Sequence, residues 1–560
     1  MKLTVTDDLC PMHARVLQQI VAERAENIPG EMTVSLRVDR CGKDSDGYRI
    51  SGQGDQWEII GYGERGLYYG IGKFLHSARW SETAFEPQPT NGDIMPASPF
   101  RAMYYSIHFY NWYQQAPEEE LENYLTSLLL WGYNIIFLIV PVINLSSVEE
   151  PLFFKTVNRA RRVFELCHKY GMETGIIMGS QGLKSAPHEY DAELTFDPRN
   201  RGYLGRNLCV SKPAAMEYLK TLWAQMLNAF SDTGLDYIMA WPYDEGGCGC
   251  AKCRPWGAVG FCKMFGEMVK VGKEIYPQAK YVLSTWGFDT VIDEGEFAGL
   301  YEKLRSGAVK TDYIMIDHHQ EFPIYPLEHP PIVPAVNFPE ISMWGLYPWG
   351  GYGANPLPRR FERLFRRARP ILHGGMPYSE GIYEDISKVQ WVGYYWQPDR
   401  NYADIISEYA GYYYPGADAA EIVRLCELIE QNHAGAYTGE KPDTAAYRTA
   451  AAIATAQNDK ICPAAADWRW RILYIRAMLD QKRYAYYEAH KSEENLTPDD
   501  LVRYAGSMLK NDAEAQALFR ELCGFYHCVD YNGENRWTHP PVNGGDGVRH
   551  ISNTVPPPKK

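Results

Sequence analysis

The apolar residues between positions 100 and 398 fall into eight short runs, and a polar loop follows each run. In most cases a stretch of helical period then leads into the next run. Strands that alternate with helices over about 300 residues are typical of a (β/α)8 barrel. The pattern therefore predicts an α/β fold with a TIM barrel, whose strands lie at 103–107, 134–140, 174–178, 237–241, 281–284, 313–316, 333–336 and 373–376.

The segments on either side of the predicted barrel have different patterns. Alternating stretches at 32–38, 48–50 and 57–60 precede a helical stretch at 64–77, which indicates a small α/β domain. After residue 400 the pattern turns helical, and residues 538–560 are rich in Pro and Gly. We therefore predict a small N-terminal α/β domain at 1–98, the barrel at 99–400, an α-helical C-terminal domain at 401–537 and a tail at 538–560.

The composition and charge of the chain restrict the kinds of partner that we expect it to bind. The chain of 560 residues is 45% hydrophobic and 22% charged, and its formal net charge is −14. An acidic chain does not offer the basic surface that nucleic-acid binding needs, and no apolar run approaches the roughly 18 residues of a membrane helix. The first residues contain no apolar signal segment. We expect a cytoplasmic protein without nucleic-acid or membrane partners, and the sequence leaves a homodimer open.

The densest polar group follows the fourth predicted strand, where Asp244 and Glu245 stand side by side before two glycines. Barrel active sites lie at the carboxyl ends of the strands. Two neighbouring carboxylates do not ionise easily together, so one stays charged and raises the pKa of the other. A charged group beside a protonated acid is what glycoside cleavage requires. A helix cap or a cation site is the structural alternative for this pair.

The acid pair, the small α/β unit and the barrel together resemble glycoside hydrolase family 20, the β-N-acetylhexosaminidases. Residues 61–71 also resemble the non-catalytic domain that precedes the barrel there, and the cysteine-rich loop after the pair resembles related bacterial families. The resemblance implies an exo-acting, retaining enzyme in which Glu245 is the general acid and Asp244 orients the 2-acetamido group of the substrate. The acetamido oxygen would then attack the anomeric carbon and form an oxazolinium ion.

Two further carboxylates follow later strands and keep a second mechanism open. Glu340 follows the seventh predicted strand and Glu380 the eighth. If Glu340 is the nucleophile, the protein is a double-displacement glycosidase for sugars without an acetamido group, such as a glucoside or a glucuronide, with Glu245 as acid and base. Glu380 is then expected to bind sugar hydroxyls. A non-catalytic carbohydrate-binding protein is the third hypothesis.

Other strand ends offer the contacts that a sugar needs. Polar or stacking contacts are predicted at Arg101, His108, Trp286, Asp317, His318, Trp344, Trp349 and Tyr378. Aromatic rings pack against the C–H face of a sugar ring, and polar groups fix its orientation. The expected substrate is an oligosaccharide or another glycoside, and no organic cofactor is expected.

Three thiols lie close together directly after the acid pair, at Cys248, Cys250 and Cys253. In a reducing compartment this spacing indicates a metal clip, and zinc would need a fourth ligand. Cys209 and Cys262 are both candidates, and Cys209 is favoured because it resembles the upstream cysteine of the same bacterial families. We therefore expect a structural zinc held by Cys209 and the three clustered cysteines, with free thiols as the alternative.

Overall fold

The structure is a computed structural model. It describes residues 1–7, 11–107, 111–140, 142, 145–193, 206–243, 247–290, 293–318, 328–341, 354–432, 444–461, 467–493, 509–527, 529–530, 536–538 and 548–550. Among these residues, no helix combines the length and the apolar character that crossing a membrane requires.

The amino-terminal part of the chain forms a four-stranded sheet with two helices. Its elements are β1 (Lys2–Asp7), α1 (Pro11–Arg24), β2 (Glu31–Val38), β3 (Tyr48–Gln53), β4 (Gln56–Gly61) and α2 (Glu64–His76). The strand order is β1-β2-β4-β3, in which β3 alone runs antiparallel to its neighbour. The sequence pattern predicted β2 to β4 and α2, whereas it did not identify β1 and α1. The short strands β5 (Arg79–Trp80) and β6 (Phe85–Glu86) follow.

The predicted barrel is confirmed. The strands of this region are β7 (Phe100–Tyr105), β8 (Ile135–Ile139), β9 (Glu173–Met178), β10 (Gln181–Gly182), β11 (Arg206–Asn207), β12 (Tyr237–Ala240), β13 (Lys280–Ser284), β14 (Tyr313–His318), β15 (Ala335–Pro339), β16 (Leu372–Gly375) and β17 (Tyr378–Ser379). Eight of them, β7, β8, β9 and β12 to β16, pair in parallel, and β16 closes the barrel by pairing with β7. These strands are nearly continuous apolar runs because both faces are covered.

Helices surround the barrel, and all of them except α3 fall on stretches whose sequence pattern predicted a helix. They are α3 (Trp112–Gln115), α4 (Glu118–Trp131), α5 (Pro151–Lys169), α6 (Pro213–Asn228), α7 (Gly260–Ile275), α8 (Glu296–Ser306), α9 (Pro358–Ala368) and α10 (Asp385–Trp396). The first strand begins three residues before its predicted start, because Phe100 and Arg101 pair with the last two residues of β16. Gly374 permits this pairing: a Cβ there would lie 1.7 Å from the Phe100 carbonyl oxygen.

Side chains fill the barrel interior in layers. Phe100, Tyr237 and Tyr313 pack together at the amino end of the strands. Tyr104 and Phe338 lie nearer the carboxyl end. Because the interior is packed, a ligand site has to be built on the loops and side chains at the carboxyl end of the strands.

The carboxyl-terminal part of the chain is helical. Its elements are α11 (Tyr402–Tyr413), α12 (Ala419–Gln431), α13 (Thr444–Asn458), α14 (Trp468–His490), α15 (Ala513–Tyr526), β18 (Val529–Asp530), β19 (Arg536–Thr538) and β20 (Val548–His550). Arg469 of α14 forms a 2.7 Å ion pair with Asp385 of α10, which joins these helices to the barrel. The stretch predicted as a tail differs from the prediction, since β20 pairs antiparallel with β19.

Candidate functional site

The structure describes the chain on both sides of the predicted acid pair. The predicted site residues outside the described part of the chain are Asp244, Glu245, His108, Trp344 and Trp349. His318 is described only as the last residue of β14. The roles of these residues stay predictions, and the other predicted residues have defined positions.

The loop that follows the fourth barrel strand (residues 241–259, the strand-four loop) is held on both sides of the acid pair. The amide of Trp241 donates to the carbonyl of Met178 at 2.8 Å. The Trp256 indole donates to the carbonyl of Pro242 at 2.7 Å. Gly247 has a φ of +69° and lies against the Trp256 ring, so a Cβ at this position would be strained and would clash with the indole. Contacts with the Trp256 indole therefore hold the loop at Pro242 and at Gly247.

Glu296, at the start of α8, connects the strand-four loop to the loop that follows the fifth barrel strand. Its carboxylate accepts hydrogen bonds from the Tyr243 hydroxyl, from the amide of Gly257 at 2.6 Å and from the amide of Asp289 at 2.9 Å. Burial raises the pKa of Glu296 to about 7, and these hydrogen bonds oppose the shift. Tyr243 directly precedes Asp244. Sequence reasoning missed Glu296, because nothing in the sequence pattern relates it to residues some 50 positions earlier.

Two buried glutamates and a buried phenol meet at the carboxyl ends of the seventh and eighth barrel strands. Glu340 follows β15 and forms a parallel bridge with Tyr378. The Tyr378 hydroxyl donates to Glu380 at 2.8 Å, and the Tyr383 hydroxyl donates to the other oxygen of Glu380 at 3.4 Å. Burial raises the pKa of Tyr378 well above its usual range, and the charges of Glu380 and Glu340 raise it further. The phenol therefore stays protonated and remains a hydrogen-bond donor.

Aromatic rings line the same end of the barrel. Trp286 stacks on Trp241 with 5.8 Å between ring centroids, and Trp241 meets the edge of Phe338 at 5.2 Å. Both tryptophans are half-buried, so part of each ring is open to a ligand. Asp317, also half-buried, accepts a 3.4 Å hydrogen bond from the amide of Gly287. The sequence pattern assigned Trp241 to the fourth strand, and its stacking on Trp286 became visible only in the structure.

Arg101 is not part of this group, which corrects its predicted role as a substrate ligand. It is the second residue of β7 and lies at the amino end of the barrel, fully buried. Its guanidinium donates to the carbonyl oxygens of Gly132 and Ser98 and to Asp46, each at 2.7 Å. The prediction failed because it considered polar residues that flank a strand without separating the two ends of the strand.

The four predicted metal ligands lie together. The Sγ atoms of Cys209, Cys248, Cys250 and Cys253 are all within 4.8 Å of one another. Cys262, the other candidate, is not part of this group; its thiol donates to the Gly257 carbonyl at 3.2 Å. The cluster joins the segment that follows β11 to the strand-four loop.

Comparison with known proteins shows which folds this chain shares. No protein-family model and no curated protein matches its sequence. A family 89 glycoside hydrolase from Clostridium perfringens, solved with its substrate GlcNAc-α-1,4-galactose, covers 97% of this chain and 71% of its own, at 12% identity and a TM-score of 0.64. A family 138 glycoside hydrolase that targets pectin rhamnogalacturonan II covers 95% of this chain and 75% of its own, at 12% identity and a TM-score of 0.56.

A family 20 β-N-acetylhexosaminidase from Streptomyces coelicolor also matches. It covers 73% of this chain and 90% of its own, at 13% identity and a TM-score of 0.45. A similarity at that level adds nothing to the family 20 resemblance, which stays a prediction. The chain has the fold of glycoside hydrolases of families 89 and 138, and this similarity extends over the terminal regions as well as the barrel.

Proposed function

We propose that the protein is a retaining glycoside hydrolase that removes a terminal sugar, with Glu245 as acid and base and Glu340 as nucleophile. The observation that carries the proposal is the position of Glu340, which is 4% exposed beside Tyr378 at the carboxyl end of the seventh strand. The fourth strand ends with Ala240 at the same end of the barrel, because all strands of a parallel barrel share one carboxyl end, and Glu245 follows it in the sequence. The fold shared with two glycoside hydrolase families supports this reaction class.

The reaction proceeds in two displacements. The Glu340 carboxylate attacks the anomeric carbon while Glu245 donates its proton to the leaving glycosidic oxygen, so the C–O bond breaks and a glycosyl ester forms. Water then attacks the anomeric carbon, Glu245 takes a proton from that water, and the bond to Glu340 breaks. Tyr378 stays protonated beside the nucleophile. Glu380, which already accepts a hydrogen bond from Tyr378, accepts further hydrogen bonds from sugar hydroxyls in this proposal.

The second candidate is a β-N-acetylhexosaminidase that uses the acetamido group of its own substrate. The adjacency of Asp244 and Glu245 favours it, and so does the acetamido sugar that the family 89 neighbour binds as substrate. In this mechanism Asp244 holds the acetamido group, the acetamido oxygen attacks the anomeric carbon, and Glu340 is not a nucleophile. The two candidates share Glu245 and differ in which second carboxylate the reaction needs.

Turnover of nitrophenyl glycosides tests both candidates. The panel contains N-acetylglucosaminides, N-acetylgalactosaminides, glucosides and glucuronides of both anomers. On any glycoside that is turned over, Glu245→Gln should lower kcat strongly in either mechanism, because the attacking water loses its general base. Glu294→Gln, at an exposed glutamate on a neighbouring loop, should leave kcat unchanged. A thiazoline that mimics the oxazolinium ion should inhibit only the second candidate. If no glycoside of the panel is turned over, the protein is a carbohydrate-binding protein and both proposals fail.

A further inference from the structure

The spacing of the four clustered thiols matches the geometry of one metal ion. Cys209 Sγ lies 3.8 Å from Cys250 Sγ and 3.9 Å from Cys253 Sγ. In a tetrahedral zinc site the Zn–S bonds are about 2.3 Å long, which places the sulfur atoms about 3.8 Å apart. Sulfur atoms joined in a disulfide are only about 2.05 Å apart. The two thiol separations thus fit sulfur atoms that share one metal ion and not a disulfide.

The surroundings of the cluster also suit a metal. Cys209, Cys248 and Cys253 are buried, so bulk water is excluded from most of the site. The Ser211 hydroxyl lies 3.0 Å from the sulfur of Cys209 and 3.5 Å from that of Cys250, where it can donate to a thiolate. Hydrogen bonds of this kind orient metal ligands and stabilise their charge.

We propose that Cys209, Cys248, Cys250 and Cys253 bind one zinc ion as thiolates. Four protein ligands complete a tetrahedral coordination, so no position is open for water or substrate and the ion is structural. Binding releases the thiol protons. The Cys209 ligand is far from the other three along the chain, and the ion therefore links the segment after β11 to the strand-four loop.

The position of the ion suggests what it does for the site, and this part of the inference depends on the proposed function. Cys248 lies three residues after Glu245, and the amide of Gly249 donates to the carbonyl of Glu193 at 2.7 Å. On the other side of the acid pair, Tyr243 donates to Glu296. The chain is thus held on both sides of the acid pair, at Tyr243 by Glu296 and at Cys248 by the metal.

Metal content tests the binding separately from any activity. The full-length protein, purified without chelator, should contain about one zinc per chain by elemental analysis. Replacement of the zinc by Co²⁺ should give the ligand-field and sulfur-to-metal charge-transfer bands of a tetrathiolate site. Cys209→Ser should lose most of the metal. Cys262→Ser removes a buried thiol of the next helix, outside the cluster, and should keep it.

If Cys209→Ser does not fold, a second experiment on the wild-type protein tests the same proposal. Removal of zinc from the wild type by a chelator should expose four additional thiols to a thiol reagent, and added zinc should protect them again. A protein without bound metal whose four thiols react freely would overturn the proposal, as would equal metal loss in Cys262→Ser. Zinc binding that persists in an inactive protein would leave the site intact and reject the proposed glycosidase instead.

Discussion

Arg101 and Glu340 are both buried charged residues at barrel strands, but they occupy opposite ends of the barrel and have opposite surroundings. Arg101 is enclosed by groups that match its charge, since it bonds to two carbonyl oxygens and to Asp46. Glu340 lies with Glu380 and Tyr378, and both negative charges act on the same phenol. At one end of the barrel a buried cation has a buried counter-charge, whereas at the other end two buried glutamates both raise the pKa of one phenol.

This difference separates a structural role from a functional one. A buried ion pair compensates much of the cost of taking charge out of water. Like charges at close range destabilise the fold and shift pKa values, and such arrangements concentrate at functional sites. We therefore expect substitutions at the amino end to change stability and substitutions at the carboxyl end to change activity.

Replacement of Glu340 should have the largest effect on activity. If Glu340 is the nucleophile, Glu340→Gln should lower kcat by at least about 10³-fold, because removal of a nucleophile abolishes the covalent step. The midpoint of thermal unfolding should change little, because glutamine keeps the size and shape of the glutamate side chain. Both values come from nitrophenyl glycoside kinetics and calorimetry.

A second Glu340 variant provides the control. In Glu340→Ala, added azide should take the place of the missing carboxylate, restore turnover and yield a glycosyl azide of opposite anomeric configuration. A loss below about tenfold in Glu340→Gln, without azide rescue in Glu340→Ala, would reject Glu340 as nucleophile and leave the acetamido-assisted reaction through Asp244.

Arg101→Met should lower the stability of the fold and not the activity. Removal of the guanidinium breaks three charge-assisted hydrogen bonds, each worth about 1.5–3 kcal/mol, while Arg65 remains as a counter-charge of Asp46. The free energy of unfolding should therefore fall by at least about 3 kcal/mol. Burial alone would raise the pKa of Asp46, but Arg101 and Arg65 hold this pKa below its ordinary value in the wild type. Arg49→Met, at an exposed position of β3 in the amino-terminal sheet, should change stability by less than about 0.5 kcal/mol. A stable Arg101→Met with impaired kcat would refute the structural role.

The fold was predictable because hydrophobic periodicity is local. Buried strands such as β8, which reads Ile-Ile-Phe-Leu-Ile, stand out as apolar runs between polar loops. Strand ends were less predictable, since β7 extends to Phe100 only through its pairing with β16. The pairing of β20 with β19 was missed for the same reason: it depends on contacts between segments and not on the composition of either one.

The candidate site was predictable only in part. Residue type and position after a strand identified Glu340, Glu380 and Trp286, and thiol spacing identified three of the clustered cysteines. Spacing alone left Cys209 and Cys262 open as the fourth ligand, because the distance between loops is a property of the folded barrel, and only the resemblance favoured Cys209. The sequence analysis also placed Arg101 at the wrong end of the barrel, because it did not separate the two ends of a strand.

Glu296 is a third buried titratable residue, and its raised pKa makes the stability of the fold depend on pH. The folded protein holds its proton up to about pH 7, whereas the unfolded chain releases it near 4.5. Its contribution to stability is therefore fully present below about pH 4.5 and is lost as the pH rises through about 7, on the order of 3 kcal/mol. Glu296→Gln should remove this slope from denaturant-unfolding curves measured across that range.

The exposed Glu294 is the matched control for this slope, and Glu294→Gln should keep it. Asp46, whose pKa is lowered, contributes with the opposite sign: its stabilisation is lost as the pH falls through its folded pKa. A Glu296→Gln variant with an unchanged slope between pH 4.5 and 7 would show that another group holds the proton.

Replacement of Trp286 should have the smallest effect on activity. Trp80, another half-buried tryptophan, provides the comparison. Trp286 stacks on Trp241 at the carboxyl end of the barrel, whereas Trp80 packs on Phe85 outside it. If Trp286 stacks on the sugar, Trp286→Ala should raise KM by up to about tenfold, the equivalent of one aromatic contact, with a smaller change in kcat. Trp80→Ala should lower the unfolding midpoint and leave KM unchanged. Equal KM values in the two variants would remove Trp286 from the site and restrict substrate contacts to the carboxylates.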